Sequence, residues 1–149
     1  MVGNGGIEEK TQKGIIADAN VLIDYTDCNP EILRLASLNL GQLFAASTVL
    51  REVDQLSQSA AKKLKLKIIQ PSIQQMFEAS QIKRIKPSLS NQDAVIFIIA
   101  RSENLTCLSN DINLRKFCNS YNITCMWGLE LMLPLVNNNI ISPQQAYKT

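Results

Sequence analysis

Residues 90–111 read SNQDAVIFIIARSENLTCLSND, and the reading of this stretch decides the fold. Ser90 or Asn91 is placed to cap a helix running from about Asp93 to Glu103 or Asn104. Ala94, Val95, Ile96, Phe97, Ile98, Ile99 and Ala100 make that helix apolar nearly all round, so it is expected to be buried rather than to lie on a surface. LTCLS (105–109) then reads as a short strand that ends at Asn110-Asp111.

The same alternation extends in both directions. Upstream, GIIADANVLIDY (14–25) opens with Ile15, Ile16 and Ala17, an uninterrupted apolar run of the kind found in a strand buried on both faces of a parallel sheet. The run stops at Asp18, and helical segments follow over 21–25 and, past the Asn29-Pro30 break, over 32–38. LFAAS (43–47) is the next strand, and STVLREVDQLSQ (47–58) has Val49, Leu50, Val53 and Leu56 spaced for one helix face. AAKKLKLKIIQP (60–71) begins as a basic amphipathic helix and ends as a strand, and Pro71 suits the first turn of a helix over 71–82. Downstream of Asp111 come a helix (111–121), a strand over NITCMW (122–127), a closing helix GLELMLPLV (128–136) and a short terminal one. Strands alternating with helices predict an α/β fold with a parallel sheet covered on both faces. No repeat or linker divides the chain, so one domain is expected over 14–149, preceded by a polar, Gly-rich and flexible leader over 1–13.

Composition narrows the chemistry. The chain has 149 residues, 46% hydrophobic and 19% charged, enough to bury roughly 68–70% of the unfolded surface. It contains no histidine, which excludes Ser-His-Asp and Cys-His catalysis and every zinc site that needs an imidazole. Cys28, Cys107, Cys118 and Cys125 include no Cys-x-x-Cys pair, so zinc-finger and thioredoxin readings fail, and the four are expected to be reduced and structural. The leader lacks the apolar core of a signal peptide, and no apolar run approaches the roughly 20 residues that span a bilayer. A cytoplasmic protein without a membrane partner is the expectation. The net charge of +2 is uninformative about nucleic acid.

The acids fall in informative places. Asp18 ends the first strand, Asp111 lies just past LTCLS, Asp93 begins the buried helix and Glu52 sits one turn into the helix after LFAAS. Each has a structural explanation when taken singly: a cap, a turn residue or a solvated helix position. Taken together, four carboxylates at one sheet edge would repel each other, and a divalent cation relieves that repulsion. Ligation by oxygen alone favours Mg²⁺ or Mn²⁺, ions suited to phosphoryl chemistry without imidazole.

These residues resemble the PIN-domain nucleases, including the VapC-type toxins of toxin–antitoxin pairs. The resemblance rests on Asp18-Ala19-Asn20 after the first strand, Glu52 in TVLREVDQL, Ser90, Asp93 and Ala94 at the head of the buried helix, and Ser109, Asn110 and Asp111 in CLSNDINLRKF. It covers about residues 14–136. It implies a three-layer α/β/α sandwich around a central, mainly parallel twisted sheet, and a Mg²⁺- or Mn²⁺-dependent ribonuclease, a hydrolase acting on RNA. Asp18, Glu52, Asp93 and Asp111 would be the catalytic acids, with Asp18, Asp93 and Asp111 as metal ligands. Asn20 and Ser109 would support them through hydrogen bonds, Ser109 standing where Thr is commoner. Asp24 and Asp54 would be nearby supporting acids, and either Glu52 or Asp54 suits the second acidic position. An antitoxin protein and a homodimer are partners that the resemblance brings with it.

Basic residues offer phosphate contacts: Arg115 and Lys116 on the helix after Asp111, and Lys83, Arg84 and Lys86 further away. Lys62, Lys63, Lys65 and Lys67 read equally as a solvated face. Trp127 is expected in the core, while the leucines of GLELMLPLV suit either core packing or a partner surface. The rival reading is a catalytically silent PIN-like module that binds nucleic acid or protein, with the acids serving only as caps. A haloacid-dehalogenase-like phosphatase would need a second Asp at Asn20 and a Thr at Leu22, and a phosphorylation-receiver domain would need paired acids at the first strand.

Overall fold

The structure, a computed structural model, describes residues 14–148; the leader expected over 1–13 lies outside the described residues. Five strands form one parallel sheet: β1 (Ile15–Ala17), β2 (Leu43–Ala46), β3 (Lys67–Ile69), β4 (Thr106–Leu108) and β5 (Cys125–Met126), in the spatial order β3-β2-β1-β4-β5. Among the described residues there are nine α-helices: α1 (Ala19–Cys28), α2 (Glu31–Asn39), α3 (Ser47–Leu50), α4 (Gln58–Lys63), α5 (Ile73–Ile85), α6 (Asn91–Glu103), α7 (Ile112–Ser120), α8 (Met132–Asn137) and α9 (Pro143–Lys148). A 3₁₀ turn, Gly128–Leu131, precedes α8. The fold is α/β, and the helices complete a three-layer sandwich around the sheet.

The strands are short, and the central ones are buried. β1 is covered along its whole length, and the interior positions of β2 and β4 are equally closed to water. A strand covered on both faces can only be an unbroken apolar run. The reading of residues 90–111 meets its expectation here: α6 is buried from Asp93 to Ala100, and Phe97, Ile96, Ile98 and Ile99 are among the largest fully buried side chains. Each such side chain contributes roughly 1.5–3 kcal/mol by leaving water. Ser90 caps α6 by accepting a bond from the Asp93 amide at 3.0 Å. Asn104, at φ 56° in the left-handed region, ends the helix and turns the chain into β4.

β1 and β4 are neighbours although most of the chain lies between them, and β1 also pairs with β2. The order of connection reverses between β1 and β4, the topological switch point outside which ligands of open α/β sheets bind. The register Ile15↔Thr106, Ile16↔Cys107, Ala17↔Leu108 sets Asp18 level with Ser109, the first residues past the two strands. The ladder continues one step further, with the Asp18 amide donating to the Leu108 carbonyl at 3.0 Å.

Several elements differ from the sequence reading. The helix expected over 47–58 stops at Leu50, and residues 51–56 form turns before α4 starts at Gln58, capped by Ser57. Val53 and Leu56 are still buried, so the apolar spacing reports burial beneath a turn and not a continuous helix face. Pro71 lies outside α5, because Ser72 takes the cap and forms a reciprocal pair with Gln75. The closing helix begins as a 3₁₀ turn, and the strand expected over 122–127 is reduced to two residues. Trp127 is not in the core: it is 42% exposed, and the Arg115 guanidinium lies 3.6 Å from its ring centroid. No helix among the described residues is long and apolar enough to cross a membrane.

Candidate active site

Three acids converge at the carboxyl ends of β1 and β4. Asp18 is buried and is the first residue beyond β1; Asp93 is buried in the first turn of α6; Asp111 is half-buried and caps α7. Ser109, fully buried, joins two of them. Its Oγ donates to Asp18 Oδ2 at 2.8 Å and accepts from the Asp111 amide at 3.0 Å. Its own amide donates to the Met126 carbonyl, and its carbonyl accepts from Arg115 Nη1 at 3.1 Å. One hydroxyl therefore ties β1 to the β4–α7 turn, and main-chain bonds tie the same residue to β5 and α7.

Burial and mutual repulsion disturb these carboxyls. Burial pushes the Asp18 carboxyl above its usual range; the Ser109 hydroxyl and the Asn20 and Ala19 amides oppose that rise, and the charge of Asp111 adds to it. Asp93 is pushed up to about 7, first by burial, then by a hydrogen bond with Asp111 and by the charges of Asp18 and Asp111, against a lowering bond from Ser90. An Asp93 carboxyl raised this far is partly protonated near neutral pH.

The donor set suits a hard divalent ion. It consists of oxygen alone, it is partly desolvated, and it holds a proton that a cation would displace. The carboxylates are not closed around a single point. Among the described residues, no three ligand atoms from acids lie within 4.8 Å of one another. Mg²⁺ commonly binds through one or two carboxylates and keeps several waters, so a more open set still fits it.

The remaining sequence-derived positions divide clearly. Ser109 makes the supporting bond expected of it. Asn20 supports Asp18 through its main-chain amide, while its side chain is exposed. Glu52 is exposed on the turn after α3 and is not among the charges that perturb Asp18 or Asp93. The helix that was to carry Glu52 inward ends two residues earlier. Asp54 and Asp24 are also exposed. Asp24 lines a cleft of about 160 Å³ together with Tyr25, Asn110 and Gly128, just beyond the acids. Arg115 is half-buried and Lys116 exposed. Lys83 points its ammonium at the Pro87 and Leu89 carbonyls, fastening the loop that leads to Ser90 and Asp93, while Arg84 is exposed and Lys86 half-buried.

Some contributors carried no sequence signal. The Tyr25 hydroxyl donates to the Gly128 carbonyl at 2.6 Å, and the Asn110 side chain accepts from the Gly128 amide at 2.8 Å, so the 128–131 turn is pinned across the cleft mouth. A Cβ at Gly128 would sit 3.1 Å from the Asn110 amide nitrogen, which makes glycine the residue that admits this contact. The Ser47 hydroxyl, buried at the end of β2, has no hydrogen-bond partner among the described residues. Spacing alone foretold none of these, because each depends on segments far apart in the chain.

No family model matches the chain, and no curated protein matches it in sequence. Solved structures do match. PAE2754 from Pyrobaculum aerophilum superposes with a TM-score of 0.58 at 14% identity, over 83% of this chain and 97% of that one. VapBC2 from Rickettsia felis, bound to a DNA fragment from its promoter, superposes with a TM-score of 0.53 at 22% identity, over 76% of this chain and 97% of that one. At these identities the likeness concerns the fold, which is PIN-like and similar to VapC.

Proposed function

We propose that this protein is a Mg²⁺- or Mn²⁺-dependent endoribonuclease of PIN type that hydrolyses RNA phosphodiester bonds. The observation that carries this reading is the convergence of Asp18, Asp93 and Asp111 at the switch point of the sheet, with Ser109 bonded to Asp18 and Asp111 and with Asp93 pushed up to about 7. A purely capping role explains Asp111, whose Oδ1 accepts from the Asn113 amide at 3.0 Å. It does not explain why Asp18 is buried beside two other acids. Groups held in such an unfavourable state cluster at functional sites.

In this reading Asp18, Asp93 and Asp111 hold the metal, and Ser109 fixes the orientation of Asp18. The metal, when bound, would lower the pKa of a water and neutralise charge developing on the scissile phosphate. Glu52, exposed on its turn, would orient or deprotonate the attacking water, with Asp54 the alternative for that role. Arg115, whose guanidinium is anchored by Ser109 and Trp127, and Lys116 meet the RNA backbone beside Asp111, and Arg84 and Lys86 extend that contact. Lys83 acts by holding the 87–90 loop. A cytoplasmic toxin of a toxin–antitoxin pair is the role we favour, since VapBC2 shares the fold. An antitoxin, or a second copy in a homodimer, would use the apolar surface in which Leu129 and Leu133 are exposed, whereas Leu131 and Leu135 belong to the core.

The test is cleavage of RNA with Mg²⁺, Mn²⁺ or EDTA, with wild type beside Asp18→Ala. Activity that survives both EDTA and the substitution overturns the proposal. The exposed position of Glu52 and the open spacing of the carboxylates favour one other reading, a catalytically silent binding module. Thermal melting with Mn²⁺ separates the two, because only a formed site raises the melting temperature with metal concentration.

A further inference from the structure

Three of the four cysteines meet in space although their spacing hides it. Cys107 is the central residue of β4, Cys125 is its registered partner on β5, and Cys118 lies on α7, the helix that joins those two strands. Registered partners on parallel strands project to the same face. Their sulfurs and that of Cys118 all lie within 4.8 Å of one another, with no disulfide among them. Cys107 and Cys118 are fully buried and Cys125 is half-buried. A small apolar side chain accounts for each buried thiol taken singly. It does not account for three sulfurs converging from two strands and a helix.

We propose that Cys107, Cys118 and Cys125 form a three-thiolate binding site for Cu(I). Three sulfurs bound to one ion at about 2.3 Å in a trigonal plane stand about 4 Å apart, a spacing this trio accommodates without rearrangement of the strands. Thiolates select soft ions, Cu(I) foremost where only sulfur is offered. Zn²⁺ in a structural site takes four protein ligands, and among the described residues no acid joins the three sulfurs, while the chain has no histidine. Binding releases the thiol protons to solvent. Cys125, the least buried of the three, is the sulfur that an incoming ion reaches first. The bound ion would lock β4 to β5 one step below Ser109, on the side of the sheet edge that carries Arg115 and Trp127.

The decisive experiment titrates the reduced full-length chain, without oxygen, with Cu(I) supplied as its acetonitrile complex in competition with bicinchoninate. We expect one equivalent to be retained, with X-ray absorption reporting three sulfur neighbours and the melting temperature rising with Cu(I) concentration. Cys125→Ala, at the half-exposed position, should weaken retention at least tenfold, and Cys118→Ser should do the same. Cys28→Ser, at an exposed cysteine outside the trio, should change nothing. If Cys118→Ser fails to fold, Cys125→Ala decides the matter. The proposal is overturned if bicinchoninate removes all the copper, if Cys125→Ala binds like wild type, or if Zn²⁺ is held in preference. It is equally overturned if mild oxidation joins Cys107 to Cys125 in a chain that retains no copper.

Discussion

The oxygen trio lies past the carboxyl ends of β1 and β4 and the sulfur trio between β4, β5 and α7, and the two are built on opposite principles. Asp18, Asp93 and Asp111 come from three separate segments and are not closed within 4.8 Å, whereas Cys107, Cys118 and Cys125 come from one β-α-β unit and are. Charge explains the difference. Carboxylates brought together repel, so they stay open and retain a proton until a cation arrives. Thiols are mostly neutral and donate weak hydrogen bonds to one another, so they can close without one. The lesson is that repulsion keeps neighbouring acids apart, while neutral thiols pack closely without a partner.

The largest effect should come from removing the oxygen trio's anchor. Asp18→Ala should reduce metal-dependent RNA cleavage to the level seen in EDTA, a loss greater than the roughly 100-fold upper range for groups that only support a ligand. Single-turnover cleavage of a labelled RNA measures it. Glu52→Ala should lower the cleavage rate about 100-fold, the low end for a lost general base, without weakening Mn²⁺ binding. If Asp54→Ala does this instead, the two acids exchange roles. Ser109→Ala keeps every carboxylate but frees Asp18, and should cost about 10–100-fold in metal affinity or activity. Isothermal titration with Mn²⁺ distinguishes those two losses.

The smallest effect concerns stability and tests the repulsion itself. Asp93 is pushed up to about 7 when folded, against an ordinary aspartate value of 3.8, so between those pH values the folded chain holds more protons than the unfolded one. This contribution to stability is full below about pH 4 and is lost as pH rises through 7. Asp18, raised for the same main reason, acts in the same direction. The metal-free protein should therefore melt a few degrees higher at pH 5 than at pH 8, relative to an Asp93→Asn variant in which that slope is reduced. Paired calorimetric scans measure it, and equal slopes in both proteins would remove the electrostatic part of the comparison.

Much of the site was legible because strand ends and helix caps are local features. An apolar run that stops at Asp18, a helix cap at Ser90 and an Asn-Asp that follows LTCLS each announce themselves within a few residues. Glu52 shows the limit of such reading: Val49, Leu50, Val53 and Leu56 have helical spacing, but the same residues can be buried by turns, and the chain takes that course. Trp127 misled in another way, since an apolar ring can be satisfied by a guanidinium stacked on it at the surface. The cysteines were hidden because a β-α-β unit brings together residues whose spacing matches no short metal motif.

The order of elements, the parallel character of the sheet and the identity of the acids at its edge were determined by the sequence itself, through hydrophobic period and capping chemistry. Only the tertiary structure decided that Asp18 stands level with Ser109, that burial beside Asp18 and Asp111 raises the Asp93 carboxyl, and that three sulfurs face one point. Those outcomes depend on strand register and on desolvation, which arise between segments distant in the chain and are encoded in no single stretch of it.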